Sequence, residues 1–217
     1  AMNSLLEAVE LDKDWEAPAI TLVQLCRACT QFQVGTAELV ESGLKNLIAK
    51  VPDDGRAVFA LGELYQALGN HEGATNQFER AAQLEPEEPA ILTRLGISQM
   101  QMGMPVNAER NFKKAIEMEG DDKPSMDFLA QVLQGTGRGH EVPALWKGLI
   151  DQNPQNGQAH VKYAISLVQS GQQEEGQRAF DVALETLEDN TLVKRYYAPL
   201  LKEKKEYDRA MDFYEDC

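Results

Sequence analysis

Four prolines, Pro18, Pro52, Pro86 and Pro154, stand 34, 34 and 68 residues apart, and the skipped place is filled by Gly120, another helix breaker. A fixed period of this size marks a repeat architecture, in which each unit buries its apolar surface against its neighbours. Counting from three residues past each breaker puts first places at Thr21, Gly55, Pro89, Lys123 and Gly157, the same period continues to Thr191, and six copies align without a gap.

The eighth place is always small: Ala28, Gly62, Gly96, Ala130, Ala164 and Ala198. The fifteenth is glycine in five copies, Gly35, Gly69, Gly103, Gly137 and Gly171, and Lys205 in the sixth. The twentieth is short (Val40, Ala74, Ala108, Val142, Gly176, Ala210), and the twenty-fourth is large (Leu44, Phe78, Phe112, Trp146, Phe180, Tyr214). This pattern predicts two helices per unit, A and B, reversed at the glycine. A mid-helix glycine such as Gly62 costs about 1 kcal/mol against alanine, so a close approach must need it. The expected approach is between the small residue of A and that of B, with the large residue of B filling the gap toward the next unit.

The spacing resembles the tetratricopeptide repeat. The unit Gly55 to Glu88 carries the resemblance best, through Leu61, Gly62, Tyr65, Ala74, Phe78, Ala81 and Pro86. The resemblance implies an all-α fold, an α-solenoid of helix-turn-helix repeats. Residues 1–20 are expected to hold a tag remnant, Ala1-Met2, and a capping or partial-repeat helix. Residues 21–217 are expected to hold six repeats, 21–54, 55–88, 89–122, 123–156, 157–190 and 191–217, the last truncated. The first and last depart most: the first lacks the aromatic residues, and the last has Lys205 for glycine and Glu188 for the preceding proline. Pro199 inside the last A helix is expected to kink it. The stop at Cys217, inside a helical pattern, reads as a piece of something longer.

The formal net charge of -14 opposes generic binding to nucleic acid or anionic membrane. Apolar runs such as Ala19 to Leu25 are far short of the roughly 18 residues of a membrane span, so no direct insertion is expected. Three cysteines make no disulfide framework, and a cytoplasmic setting is expected.

The local signals for chemistry are weak. The run Gly135 to His140, "GTGRGH", sits between two expected helices and lacks the strand and the Gly-Lys-Ser/Thr of a phosphate cradle, so it reads as a turn. Cys26 and Cys29 form one Cys-x-x-Cys with no second pair, and read as two small side chains on a helix face. His71, His140 and His160 fall in different repeats with no companion at diagnostic spacing. The paired acids Asp53-Asp54, Glu87-Glu88 and Asp121-Asp122 lie at unit junctions, where helices start, and read as caps or solvated loops. No catalytic residue, metal or cofactor is expected, and the chain is not expected to be an enzyme.

The resemblance implies that the A helices line a concave face whose exposed places touch a peptide. Transferred place by place, this gives a candidate groove of Arg56, Phe59, Glu63, Arg94, Ile97, Met100, Asp127, Phe128, Lys162, Ile165, Arg195 and Tyr196. One subset of that family grips the terminal carboxylate of heat-shock chaperones with lysines and asparagines, and no asparagine occurs at these places. The expected function is a non-catalytic scaffold holding a protein or peptide partner. The alternatives are a regulatory or substrate-presenting arm of a larger enzyme, or a scaffold that self-assembles as a homo-oligomer through its ends, where Ala210, Phe213 and Tyr214 are expected to lie uncovered.

Overall fold

A computed structural model describes residues 34–119 and 123–215. The expected N-terminal helix, Cys26 and Cys29, and the acids Asp121-Asp122 lie outside the described residues. Among those described there are eleven α-helices and one short 3-10 turn, with no strand. The helices are α1 (Val34–Lys50), α2 (Gly55–Ala67), α3 (His71–Leu84), α4 (Pro89–Gln101), α5 (Pro105–Met118), α6 (Lys123–Gly135), α7 (Val142–Gln152), α8 (Gly157–Gln169), α9 (Gln173–Thr186), α10 (Thr191–Glu203) and α11 (Tyr207–Glu215). From α2 on, even-numbered A helices start every 34 residues, and a B helix follows each. The fold is an α-solenoid of tetratricopeptide-type repeats.

Helix starts follow from local chemistry. Asp54 caps α2 by accepting from the amides of Arg56 and Ala57, Asn70 caps α3 through Gly73, and Asn156 caps α8 through Ala159. Pro89 and Pro105 occupy first turns, where a missing amide is harmless. Glu88, read as a cap or a solvated loop residue, is exposed and makes no side-chain capping bond. The A-to-B reversals share one geometry. Gly69, Gly103, Gly137 and Gly171 have φ of 74°, 71°, 77° and 87°, and Lys205 has 65°. In each, the residue after the turn donates five positions back, as in Asn70 to Tyr65 at 2.9 Å and Glu206 to Leu201 at 3.0 Å. This is the paired-bond helix stop that glycine makes without steric cost.

The Cα framework divides into two compact units, residues 1–125 and 126–217. In the first, α1 to α5 pack in succession. Gly62 lies beneath the ring of Phe78: a Cβ there would stand 2.7 Å from Phe78 Cδ1. Gly96 stands in the same relation to Phe112, at 2.6 Å from Cε1. The glycine thus makes room for the large side chain of its own B helix, which corrects the expectation that it faces the small residue. The reason is that a ring leaning across the A helix buries more apolar surface than a bare backbone contact. Phe78 also reaches Leu95 of the next repeat. The expected small-to-small approach is found at Gly176, whose Cβ would lie 3.0 Å from the Ala164 carbonyl oxygen.

In the second unit, α7 to α11 pack in succession and α8 also touches α10. Its core centres on Tyr197, stacked on Phe180 with centroids 4.7 Å apart and tilted against Phe213 at 6.0 Å. Arg209 covers the Tyr197 ring at 5.2 Å and pairs with Asp181. Pro199 lies within α10, which runs through it to Glu203. Ala210 is buried and Phe213 packs inward, so the uncovered stripe of α11 is Tyr207, Met211 and Tyr214. Expecting Ala210 and Phe213 there overlooked that both face their own A helix.

Candidate functional site

In the first unit the groove candidates occupy α2 and α4. Arg56 is exposed, and Ile97 and Met100 are half-buried. Phe59 is also half-buried, because its ring packs on Phe78 with centroids 5.4 Å apart. Arg94 Nη2 lies 3.2 Å from Glu63 Oε1, and Glu63 is only 8% exposed. The pair therefore ties α4 to α2, where the sequence offered two separate charges.

In the second unit Asp127, Lys162, Ile165 and Tyr196 come together around one groove of about 600 Å³, with side chains from α6, α8 and α10. Phe128 and Arg195 lie on the same helices but do not line it. Lys162 Nζ donates to Asp127 Oδ1 at 2.7 Å and stands 5.7 Å from the centroid of the Trp146 ring. The ammonium is thus held by a carboxylate and by a π face. Gln131, Gln134, Gln158 and Gln169 give the rim uncharged amides that can both donate and accept.

Trp146 and Val142, from the B helix α7, also line the groove, and sequence reasoning placed neither in it. Both are buried, Trp146 to 4% exposure, and the repeat pattern assigns their places to the core. The fourth unit is irregular in structure, its B helix being preceded by a 3-10 turn, Gly139–Glu141, and no sequence signal marked these two residues as groove-lining. His160 is buried in α8, with Nε2 2.8 Å from the Pro154 carbonyl oxygen, and His140 sits in the turn. Among the described residues no group of three or more His, Cys, Asp or Glu could hold a metal ion, and no helix is long and apolar enough to cross a membrane.

Comparison with known proteins agrees with this fold. The family profile described as tetratricopeptide repeat matches residues 55–98. The chain is 24% identical over 151 residues to the cytochrome c-type biogenesis protein CycH of Bradyrhizobium diazoefficiens. That match covers 65% of the chain and 41% of the relative, so the chain spans well under half of that protein's length. Among solved structures, YrrB, described as a TPR protein with an unusual peptide-binding site, superposes with a TM-score of 0.59 at 18% identity, covering 89% of this chain and 97% of YrrB. PilF of Pseudomonas aeruginosa gives 0.62 at 14% identity, over 90% of this chain and 88% of that one. A tetratricopeptide repeat protein from Parabacteroides merdae gives 0.57 at 16%, over 99% and 83%. At these identities the likeness is one of fold.

Proposed function

The chain is a protein of tetratricopeptide repeats, and from that premise we propose that it is a non-catalytic scaffold that holds a protein or peptide segment against its A helices. The observation that carries this reading is the groove of the second unit, to which three successive A helices contribute polar amides, an ion pair and apolar side chains. Amides satisfy a partner's backbone, apolar walls supply affinity, and few fixed charges supply orientation. Arg56, Phe59, Arg94 and Met100 extend the same reading to α2 and α4 of the first unit.

Crosslinking from chosen positions tests it. A photoreactive residue at Gln158, on the groove rim, is expected to capture a partner, whereas one at the outward, exposed Val182 is not. Capture from Val182 alone would place the working surface away from that groove, at the separate recess that Val182 borders with Lys147 and Tyr163. The likeness to CycH favours a second, narrower reading, in which the partner belongs to cytochrome c assembly. Binding of unfolded cytochrome c, abolished by Tyr196→Ala with Gln158→Ala, is the outcome that reading requires.

A further inference from the structure

Two side-chain bridges join α6 to α8. Lys162 meets Asp127 at 2.7 Å, and Gln134 Nε2 donates to Gln169 Oε1 at 3.0 Å. On each helix the two members are seven residues apart, a rise of about 10 Å. All four residues line the groove, and so do Val142 and Trp146 of α7, which reach it from beneath the A helices. The bridges therefore act as two polar bars across an opening with an aromatic and aliphatic floor.

We propose that this opening receives one bulky apolar side chain, leucine, methionine or phenylalanine, from an extended partner segment that carries an acidic residue close to it. The inference rests on the reading of the groove as a binding surface. Alternate side chains of an extended strand stand about 6.6 Å apart, so an interval of about 10 Å, narrowed by the width of its bars, admits one and not two. The floor sets the chemistry. A polar side chain would lose its water over Trp146 and Val142, and the charges of the Asp127–Lys162 bar already meet each other.

The acidic neighbour follows from the local charge. Asp127 is neutralised by Lys162, while Arg195 and Lys202 on α10 are exposed and enter no ion pair among the described residues. Neither lines the groove, but Arg195 adjoins Tyr196, which does, so the α10 side of the groove carries cations in an otherwise acidic protein. At physiological salt the remaining negative surface is screened beyond about 8 Å, so these nearby cations decide which sign is accepted.

The test uses the full chain with Trp15→Phe, which leaves Trp146 as the single tryptophan. Peptides are selected from a phage-displayed random library, and synthetic copies free of tryptophan are titrated. The expected consensus has one leucine, methionine or phenylalanine with aspartate or glutamate within two positions, and binding shifts the Trp146 emission. Gln131→Phe plugs the mouth from an exposed position, and is expected to weaken binding about tenfold or more, as loss of a buried anchor does. Arg195→Glu with Lys202→Glu is expected to weaken it while leaving the apolar preference unchanged. Far-ultraviolet circular dichroism checks that each variant is folded. Peptides that lose affinity with Tyr196→Ala yet tolerate the plug and leave Trp146 unchanged would overturn the side-chain receptor and keep the groove. No enriched peptide, or binding indifferent to every groove variant, would overturn both.

Discussion

At the scale of single residues, glycines with similar helical surroundings do opposite things. A methyl group at Gly96 would press within 2.6 Å of the fully buried Phe112 ring, whereas one at Gly135 would meet nothing within 4 Å. Gly96→Ala gains about 1 kcal/mol of helix propensity and loses about 1 to 3 to overpacking, so a net loss of about 1 kcal/mol is expected. Gly135→Ala keeps only the gain, and should stabilise by about 0.5 kcal/mol at the last position of α6. Urea midpoints that move in opposite directions are the check. Lys205 makes a third case, since it holds the left-handed turn at φ 65° with a side chain. Lys205→Gly is expected to raise stability by about 0.5 to 1 kcal/mol, read as a higher denaturation midpoint. The periodic places made Gly96 and Lys205 legible from sequence, whereas Gly135, read as part of a turn, closes α6. Which atoms the missing side chain makes room for was not legible, because ring orientation leaves no trace in a period.

At the scale of elements, the last repeat is locked by one phenol. Burial first, and then the charge of Asp181, push the Tyr197 hydroxyl from 10.0 to about 12. The folded state therefore keeps a proton that the unfolded chain releases, so this contribution is complete below about pH 10 and is lost as the pH rises to about 12. Alkaline titration of stability should show that loss in the wild type and a shallower one in Tyr197→Phe. Elements were the most legible level of this chain, since breakers 34 residues apart fix where helices begin and turn. The groove was legible only in part. Asp127, Lys162, Ile165 and Tyr196 were found because A-helix places repeat, while Trp146 was hidden by holding a core place in a repeat whose B helix starts irregularly. The pairings Glu63 with Arg94 and Asp127 with Lys162 cross between repeats, and no spacing within one repeat announces them.

At the scale of the whole molecule, the formal net charge of -14 is a standing self-repulsion. Screening it should help the fold more than it harms exposed ion pairs, which contribute about 1 kcal/mol or less each. Raising sodium chloride from about 10 mM to about 0.5 M, which shortens the screening length from about 30 Å to under 5 Å, is expected to raise the thermal midpoint by a few degrees. A lower midpoint would mean that paired charges dominate. The five reversals between A and B helices carry a consequence of another kind. At Gly69, Gly103, Gly137 and Gly171 a Cβ would touch nothing within 4 Å, yet every one of these residues has positive φ. What the turns select is handedness alone. A mirror-image amino acid, D-alanine, would adopt that backbone without strain, while its natural L counterpart, of the same composition, would not.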